Sequence, residues 1–175
     1  MHLRMVRTSD RRRIDFALPD LPGEWTTSLV GTAKVDRFEF LTSAEAIWVV
    51  VDGRALADRE ARQGVISRLG QLAGRLQTLF DGAPPRTIVV ATHRDDGALA
   101  EAILARVTAE LAKKGIAANV IEVAPFSGNA EIEPGYGLVD LIEATVGPAR
   151  TAPDFWPPRP PGVEVRAFLR YRRDA

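Results

Sequence analysis

Three short clusters in this 175-residue chain carry side chains able to do chemistry together. Asp20-Leu21-Pro22-Gly23 ends a strand-like run. There a carboxylate can hold Mg²⁺ through water, and a glycine N–H can approach a phosphate that a side chain would block. Thr92-His93-Arg94-Asp95 directly follows an apolar, β-branched run. The Asp95 carboxylate can accept two hydrogen bonds from the N1 and 2-amino edge of guanine, a strong bidentate contact, while Thr92 braces the loop. Ser127-Gly128 follows a third such run, where a small residue offers a backbone N–H to guanine O6. Each cluster also has a plainer reading: a Pro-Gly turn, an N-cap from Asp95 or Asp96, an ordinary Ser-Gly loop. Asp52 reads either as a further acid near the site or as turn chemistry with Gly53, and Trp25 as a packing residue.

These clusters need a scaffold that brings them together. His2–Arg7 and Arg12–Leu18 read as two strands joined by Thr8-Ser9-Asp10-Arg11, with Ile14, Phe16 and Leu18 on one face. Residues 19 to 37 have weak periodicity and suit a loop or switch-like segment. Ile47–Val51 and Thr87–Ala91 are continuous apolar runs of the kind buried on both faces of a sheet, and Asn119–Val123 is a third strand. Between them lie helical patterns over Ala57–Phe80, stopped by Asp81-Gly82-Ala83-Pro84-Pro85, and over Ala98–Lys114, closed by Lys113-Lys114-Gly115. A last helix is expected over Gly137–Val146. Strands alternating with helices imply right-handed crossovers and a parallel sheet whose ligands bind beyond the C-terminal strand ends. All three clusters fall at such ends.

Composition narrows the rest. Acids and bases balance at 23 each, so no global field favours nucleic acid or an anionic membrane. The chain has no cysteine and two histidines, which removes thiolate sites and makes a histidine-rich metal site implausible. Its longest apolar stretch, Ala46–Val51, is far short of the roughly 20 residues that span a bilayer, and the Arg-rich N-terminus is no secretory signal; a cytoplasmic location is expected. Nearly all the bases are arginine, with Lys34, Lys113 and Lys114 the exceptions, as in a GC-rich, bacterial gene. Pro148, Pro153, Pro157, Pro158, Pro160 and Pro161 stiffen a linker over 148–162. Beyond it, residues 163–175 contain an apolar/charged alternation, Val163 to Tyr171, that suits an edge strand or an interaction tail. The Arg166, Arg170, Arg172, Arg173 cluster reads as a solvated edge.

Asp20-Leu21-Pro22-Gly23, the run Leu41 to Asp52, Thr92-His93-Arg94-Asp95 and Ser127-Gly128, taken in order, resemble the later part of a translation-factor-related P-loop GTPase. Asp20 to Trp25 with Asp52-Gly53-Arg54-Ala55-Leu56 resembles in particular the bacterial double-GTPase domains linked to conflict systems. The resemblance covers roughly residues 1–147. It implies an α/β, three-layer fold with a mostly parallel sheet and one antiparallel N-terminal strand, and GTP or GDP with Mg²⁺ as ligands. Asp20 would bind the metal, Asp20 and Gly23 would sense the γ-phosphate, and Thr92, His93, Asp95, Ser127 and Gly128 would hold the nucleotide. His93 stands where the family's usual lysine covers the base. Glu24 stands where many GTPases carry the glutamine that orients water, which makes it the candidate catalytic residue.

The resemblance also has a gap. No Gly-x-x-x-x-Gly-Lys-Ser/Thr run, whose N–H groups and lysine cradle phosphates, occurs in the sequence. If residues 2–18 are the family's second and third strands, its first strand and P-loop are missing, leaving a space between 12–18 and 47–51. Unsatisfied backbone groups there would cost about 1–3 kcal/mol each, against a typical stability of about 5–15 kcal/mol. Three resolutions are open: Met1 is internal to a longer chain, a separate polypeptide supplies strand and P-loop, or the flanking strands close up in a nucleotide-free pseudo-GTPase that binds a partner. GTP hydrolysis is expected only where a P-loop is supplied. A magnesium-dependent hydrolase built on Asp20, Asp52 and Asp95 is a further alternative.

Overall fold

The structure, a computed structural model, describes residues 2–7, 11, 13–19, 23–32 and 36–146. Asp20 to Pro22, Lys34, the side chain of Trp25, the linker and the 163–175 segment lie outside the described residues.

Arg86–Thr92 is the strand around which the sheet is built. Its Thr87, Ile88, Val89, Val90 and Ala91 are all buried, as a β-branched run covered on both faces requires. In chain order the elements are β1 (His2–Val6), β2 (Arg13–Ala17), α1 (Gly23–Thr32), a 3₁₀ helix (Asp36–Ser43), β3 (Ala46–Asp52), α2 (Gly53–Ala57) and α3 (Arg62–Leu79). Then follow β4 (Arg86–Thr92), a 3₁₀ turn (Arg94–Asp96), α4 (Glu101–Ala112), β5 (Ala118–Glu122) and α5 (Leu138–Val146). The strands β3, β4 and β5 form a parallel sheet in that order, registered Val49↔Val89 and Val89↔Val120. β1 and β2 form a separate antiparallel hairpin. Its cross-strand pair Arg4–Asp15, with Arg4 Nε donating at 2.8 Å, holds the Asp15 carboxyl below its ordinary value.

Helices cover both faces of the parallel sheet, giving three layers. On one face Val49, Val51, Val89 and Ala91 pack against Ile66, Leu69, Ala73 and Leu76 of α3 and against Val107 and Leu111 of α4. The apolar positions of α3 recur at three- and four-residue steps, one stripe of a helix. On the other face Ile88 and Val90 pack on Leu141 of α5, with Trp48 and Ile121 alongside. Two polar contacts fix the end of α5. Trp48 Nε1 donates to Thr145 Oγ1 at 2.8 Å, and Arg86 Nη1 donates to the Ala144 and Thr145 carbonyls at 3.1 and 2.6 Å, a cation on a helix C-terminus.

Two expectations need correction. Residues 19–37 are not a loop throughout, because α1 occupies Gly23–Thr32. Its propensity is poor, yet Leu29 is buried, and helix–helix packing against α3 outweighs the weak local signal. The helix expected over 57–80 starts only at Arg62, and a separate short helix, α2, ends at Ala57. Asp58 breaks the pattern by accepting from the Glu60 and Ala61 N–H groups at 2.9 and 2.7 Å, side-chain chemistry that competes with helix. Of the three resolutions left open for the gap, closure of the hairpin onto β3 is not seen among the described residues. Among the described residues no ladder joins β2 to β3, and a cleft of about 2060 Å³ lies between them.

Candidate functional site

The C-terminal ends of β3, β4 and β5 are brought together by one close approach. Gly53 begins α2 immediately beyond β3, where a Cβ would stand 2.2 Å from the Thr92 carbonyl oxygen. Only glycine permits that contact, so the two strand ends sit backbone to backbone. Asp52 serves the same junction. Its carboxylate accepts the Arg54 N–H at 2.9 Å and caps α2, and Arg54 Nε stands 3.4 Å away. The turn-chemistry reading of Asp52 is therefore the one the structure displays.

His93 follows Thr92 in a left-handed conformation, φ 61°, unusual for a non-glycine residue. Its Nδ1 lies 2.8 Å from Thr92 Oγ1 and 3.2 Å from Asp52 Oδ1. The Thr92 hydroxyl hydrogen goes to the Val51 carbonyl oxygen at 3.2 Å. An Nδ1–H shared between Thr92 and Asp52 completes this network, which assigns the tautomer. Burial pushes the Asp52 carboxyl up, but the Arg54 hydrogen bonds and charge, with His93, outweigh it and leave the group below its ordinary value. A depressed folded-state value gives stability that is present above the unfolded-state value and is lost as pH falls through the folded one. Asp52→Asn is therefore expected to cost stability at neutral pH, with the difference from wild type shrinking below about pH 4. Urea denaturation between pH 3 and pH 7 measures it; a pH-independent difference would remove the ionic role.

Asp95 is the most available group. It is half-buried in the 3₁₀ turn, and among the described residues its carboxylate has no hydrogen bond or ion pair. It does not cap the following helix, since α4 starts at Glu101 behind Ala100, with no side-chain cap. The N-cap reading of Asp95 and Asp96 thus fails, because Gly97 and three further residues separate them from α4. Asp96 lies 3.9 Å from Arg54, leaving Asp95 as the free acid.

The loop after β5 is tied to this turn. Asn129 Nδ2 donates to the Asp95 carbonyl oxygen at 3.0 Å, and Ser127 Oγ accepts the Asn129 N–H at 3.1 Å. Arg94 stacks over the Tyr136 ring at 5.3 Å, and its N–H reaches the Val123 carbonyl oxygen at 3.2 Å. Thr92, His93, Asp95, Ser127 and Gly128 thereby share one rim. Gly128 is open, with no atom within 4 Å of where a Cβ would stand. Phe126, directly before Ser127, is 95% exposed.

Glu24 is exposed in the first turn of α1, and among the described residues no hydrogen bond or ion pair joins it to that rim. Gly23 is the first residue of α1, and Asp20 falls outside the described residues. Sequence reasoning missed Asn129, Tyr136 and Phe126. Of these, the Ser127-Gly128-Asn129 turn chemistry was the signal that could have revealed Asn129.

The donor set tests the implied ligands unequally. An unpartnered carboxylate beside an open glycine fits a guanine edge. For Mg²⁺, no group of three His, Asp or Glu side chains is found among the described residues, and Asp20, the carboxylate expected to hold the ion, lies outside them, so no step is drawn through a metal.

In an α/β domain with a parallel sheet and helices on both faces, ligands bind beyond the C-terminal strand ends, where this polar rim lies. Residues 1–146 match the family model Double-GTPase 2, and the chain belongs to that family. Comparison with curated proteins and with solved structures returned no match. Among the described residues no helix is long and apolar enough to cross a membrane.

Proposed function

We propose that this chain is a guanine-nucleotide-binding domain that reads the base at the rim of β4 and β5. Asp95 accepts from guanine N1 and the 2-amino group, Thr92 and Asn129 hold its loop, and the Ser127-Gly128 backbone faces O6. The observation that carries the reading is the half-buried Asp95 carboxylate, free of cap and ion pair, within a chain of the double-GTPase family. His93, tied to Thr92 and Asp52, holds the turn in place of covering the base. Asp20 and Gly23 sense Mg²⁺ and the γ-phosphate, and Glu24 orients water, only when an upstream segment or a separate polypeptide supplies the phosphate cradle. A cytoplasmic bacterial regulatory or defence system is the setting proposed. The 175-residue chain is expected not to hydrolyse GTP; turnover abolished by Asp20→Ala would refute this.

Thermal unfolding tests the binding claim, because a ligand of the native state stabilises by RT ln(1 + [L]/Kd), about 1.4 kcal/mol at ten times Kd. GDP should raise Tm where ADP does not. Phe126 offers an exposed ring at the same rim, and base–aromatic stacking contributes about 1–3 kcal/mol. Phe126→Ala is expected to weaken GDP binding at least about five-fold with Tm of the free protein unchanged; an unchanged affinity places the base elsewhere.

The edge of β3 that no strand covers among the described residues favours a second reading, a nucleotide-free pseudo-GTPase interaction module. It predicts no nucleotide-dependent change in Tm at any concentration.

A further inference from the structure

β5 ends on a carboxylate that none of the base-reading contacts uses. Alternation along the strand puts Glu122 on the same face as Val120, the face packed against α4. Its side chain is only 19% exposed on that largely apolar face, and a carboxylate so placed needs a hydrogen-bond donor or a cation. Glu122 has both. Its Oε1 accepts the Leu99 N–H at 2.8 Å and lies 3.9 Å from Arg94 Nε.

These two partners flank Asp95. Arg94 directly precedes it, and the Arg94 N–H donates to the Val123 carbonyl oxygen at 3.2 Å. Leu99 follows it, so the consecutive residues Glu122 and Val123 hold both ends of the segment 94–99. Inside the segment, the Asp96 and Gly97 N–H groups close the 3₁₀ turn on the His93 and Arg94 carbonyl oxygens at 3.1 and 3.2 Å. From Gly97 to Ala100 the chain is neither helix nor strand, and α4 begins at Glu101 without a side-chain cap. Among the described residues, the bond from Leu99 to Glu122 is the hydrogen bond that ties this stretch to the sheet.

Glu122 itself has little freedom. Its backbone is registered with Ala91 of β4, and its carbonyl oxygen lies 2.1 Å from where a Cβ on Gly137 would stand. Gly137, at φ 74°, closes on the end of β5 as only glycine can. On the side-chain end, the Arg94 guanidinium stands between the carboxylate and the Tyr136 ring, 5.3 Å from the ring centre. The acid therefore reaches the turn from a fixed strand end.

We propose that Glu122 is a positioning residue of the guanine site: by accepting the Leu99 N–H it holds the segment 94–99 so that the Asp95 carboxylate meets both N–H groups of the base edge. The proposal rests on the guanine reading. A bidentate contact needs both carboxylate oxygens in one geometry. Loosening the segment therefore costs discrimination at the 2-amino group of the base. Reach matters more than charge here, since the hydrogen bond to Leu99 is short and the ion pair with Arg94 is long.

Two conservative variants of the full chain separate reach from charge. Glu122→Asp keeps the charge and draws the carboxylate back by about 1.5 Å. Glu122→Gln keeps an acceptor oxygen in place and removes the charge. Titration with GDP and with its inosine analogue, followed by amide NMR, measures the preference for the 2-amino group. The natural chain's preference of about ten-fold should survive in Glu122→Gln and fall below about three-fold in Glu122→Asp. Amide exchange of the free proteins should quicken at least about ten-fold over 97–99 in Glu122→Asp alone, with β4 unchanged. An acid that only supports the fold would lower Tm and leave the ratio of affinities as it was. An unchanged preference in Glu122→Asp, or equal losses in the two variants, would overturn the proposal. A natural chain that prefers neither nucleotide would overturn it too. Faster exchange at Leu99 in Glu122→Asp would then mark the guanine reading as the part that failed, and unchanged exchange would remove the Leu99 tether as well.

Discussion

Asp95→Asn is expected to weaken GDP binding by about 10- to 100-fold, the largest effect of any single change at the rim. Hydrogen bonds to a charged group contribute about 1.5–3 kcal/mol, and the substitution sets an amide N–H against a guanine N–H while keeping the side chain's shape. The natural protein should also prefer GDP over the inosine analogue, which lacks the 2-amino group, by about ten-fold. In Asp95→Asn that preference should largely vanish. The fold itself should not notice, because Asp95 caps no helix and makes no ion pair among the described residues. Titration of both proteins with both nucleotides, alongside thermal unfolding, separates the outcomes. Equal affinities would mean that Asp95 does not read the base, and a fall in Tm of several degrees would make it a structural residue.

Gly53→Ala should destabilise the domain by about 1–3 kcal/mol or more and disorganise the site with it. The added carbon would meet the Thr92 carbonyl oxygen at 2.2 Å, and backbone cannot swing aside as a flexible side chain does. Relief requires the ends of β3 and β4 to separate, which pulls Asp52 from His93 and moves the turn carrying Asp95. Gly64→Ala in α3 is the matched control. Nothing lies within 4 Å of its new carbon, and replacing a helical glycine by alanine stabilises by about 0.5–1 kcal/mol. The same chemical change should therefore act with opposite signs at positions eleven residues apart. Urea denaturation measures both; a neutral Gly53→Ala would show that the close approach is not required.

The parallel sheet was legible because its strands are continuous β-branched runs that nothing but a two-faced sheet would bury. Ile47–Val51, Thr87–Ala91 and Asn119–Val123 fall within, or within one residue of, β3, β4 and β5. α1 was not legible, since Gly23, Thr26, Thr27 and Gly31 dilute its pattern and its helix rests on tertiary packing of Leu29. At the site, the type and position of Thr92 and Asp95 were readable from one segment. The bond from Asn129 to the Asp95 carbonyl oxygen joins residues 34 apart and the stack of Arg94 on Tyr136 joins two loops, and no local pattern announces either. The left-handed turn at His93 was likewise hidden, because the enrichment of histidine at positive φ is too weak a signal to place one such residue. The separation of hairpin and sheet followed from counting strands against the family's pattern, while the exposed Val50 face needed coordinates.

The central claim is guanine recognition at the rim of β4 and β5, and amide NMR of the full chain titrated with GMP and with AMP tests it most directly. A base-end contact without a phosphate cradle should bind at roughly millimolar strength, about −4 kcal/mol. Saturating shifts with GMP, confined to residues 92–97 and 126–129, are expected, with no saturation with AMP over the same range. Equal responses to the two nucleotides, or GMP shifts that never saturate or that centre elsewhere, would contradict it.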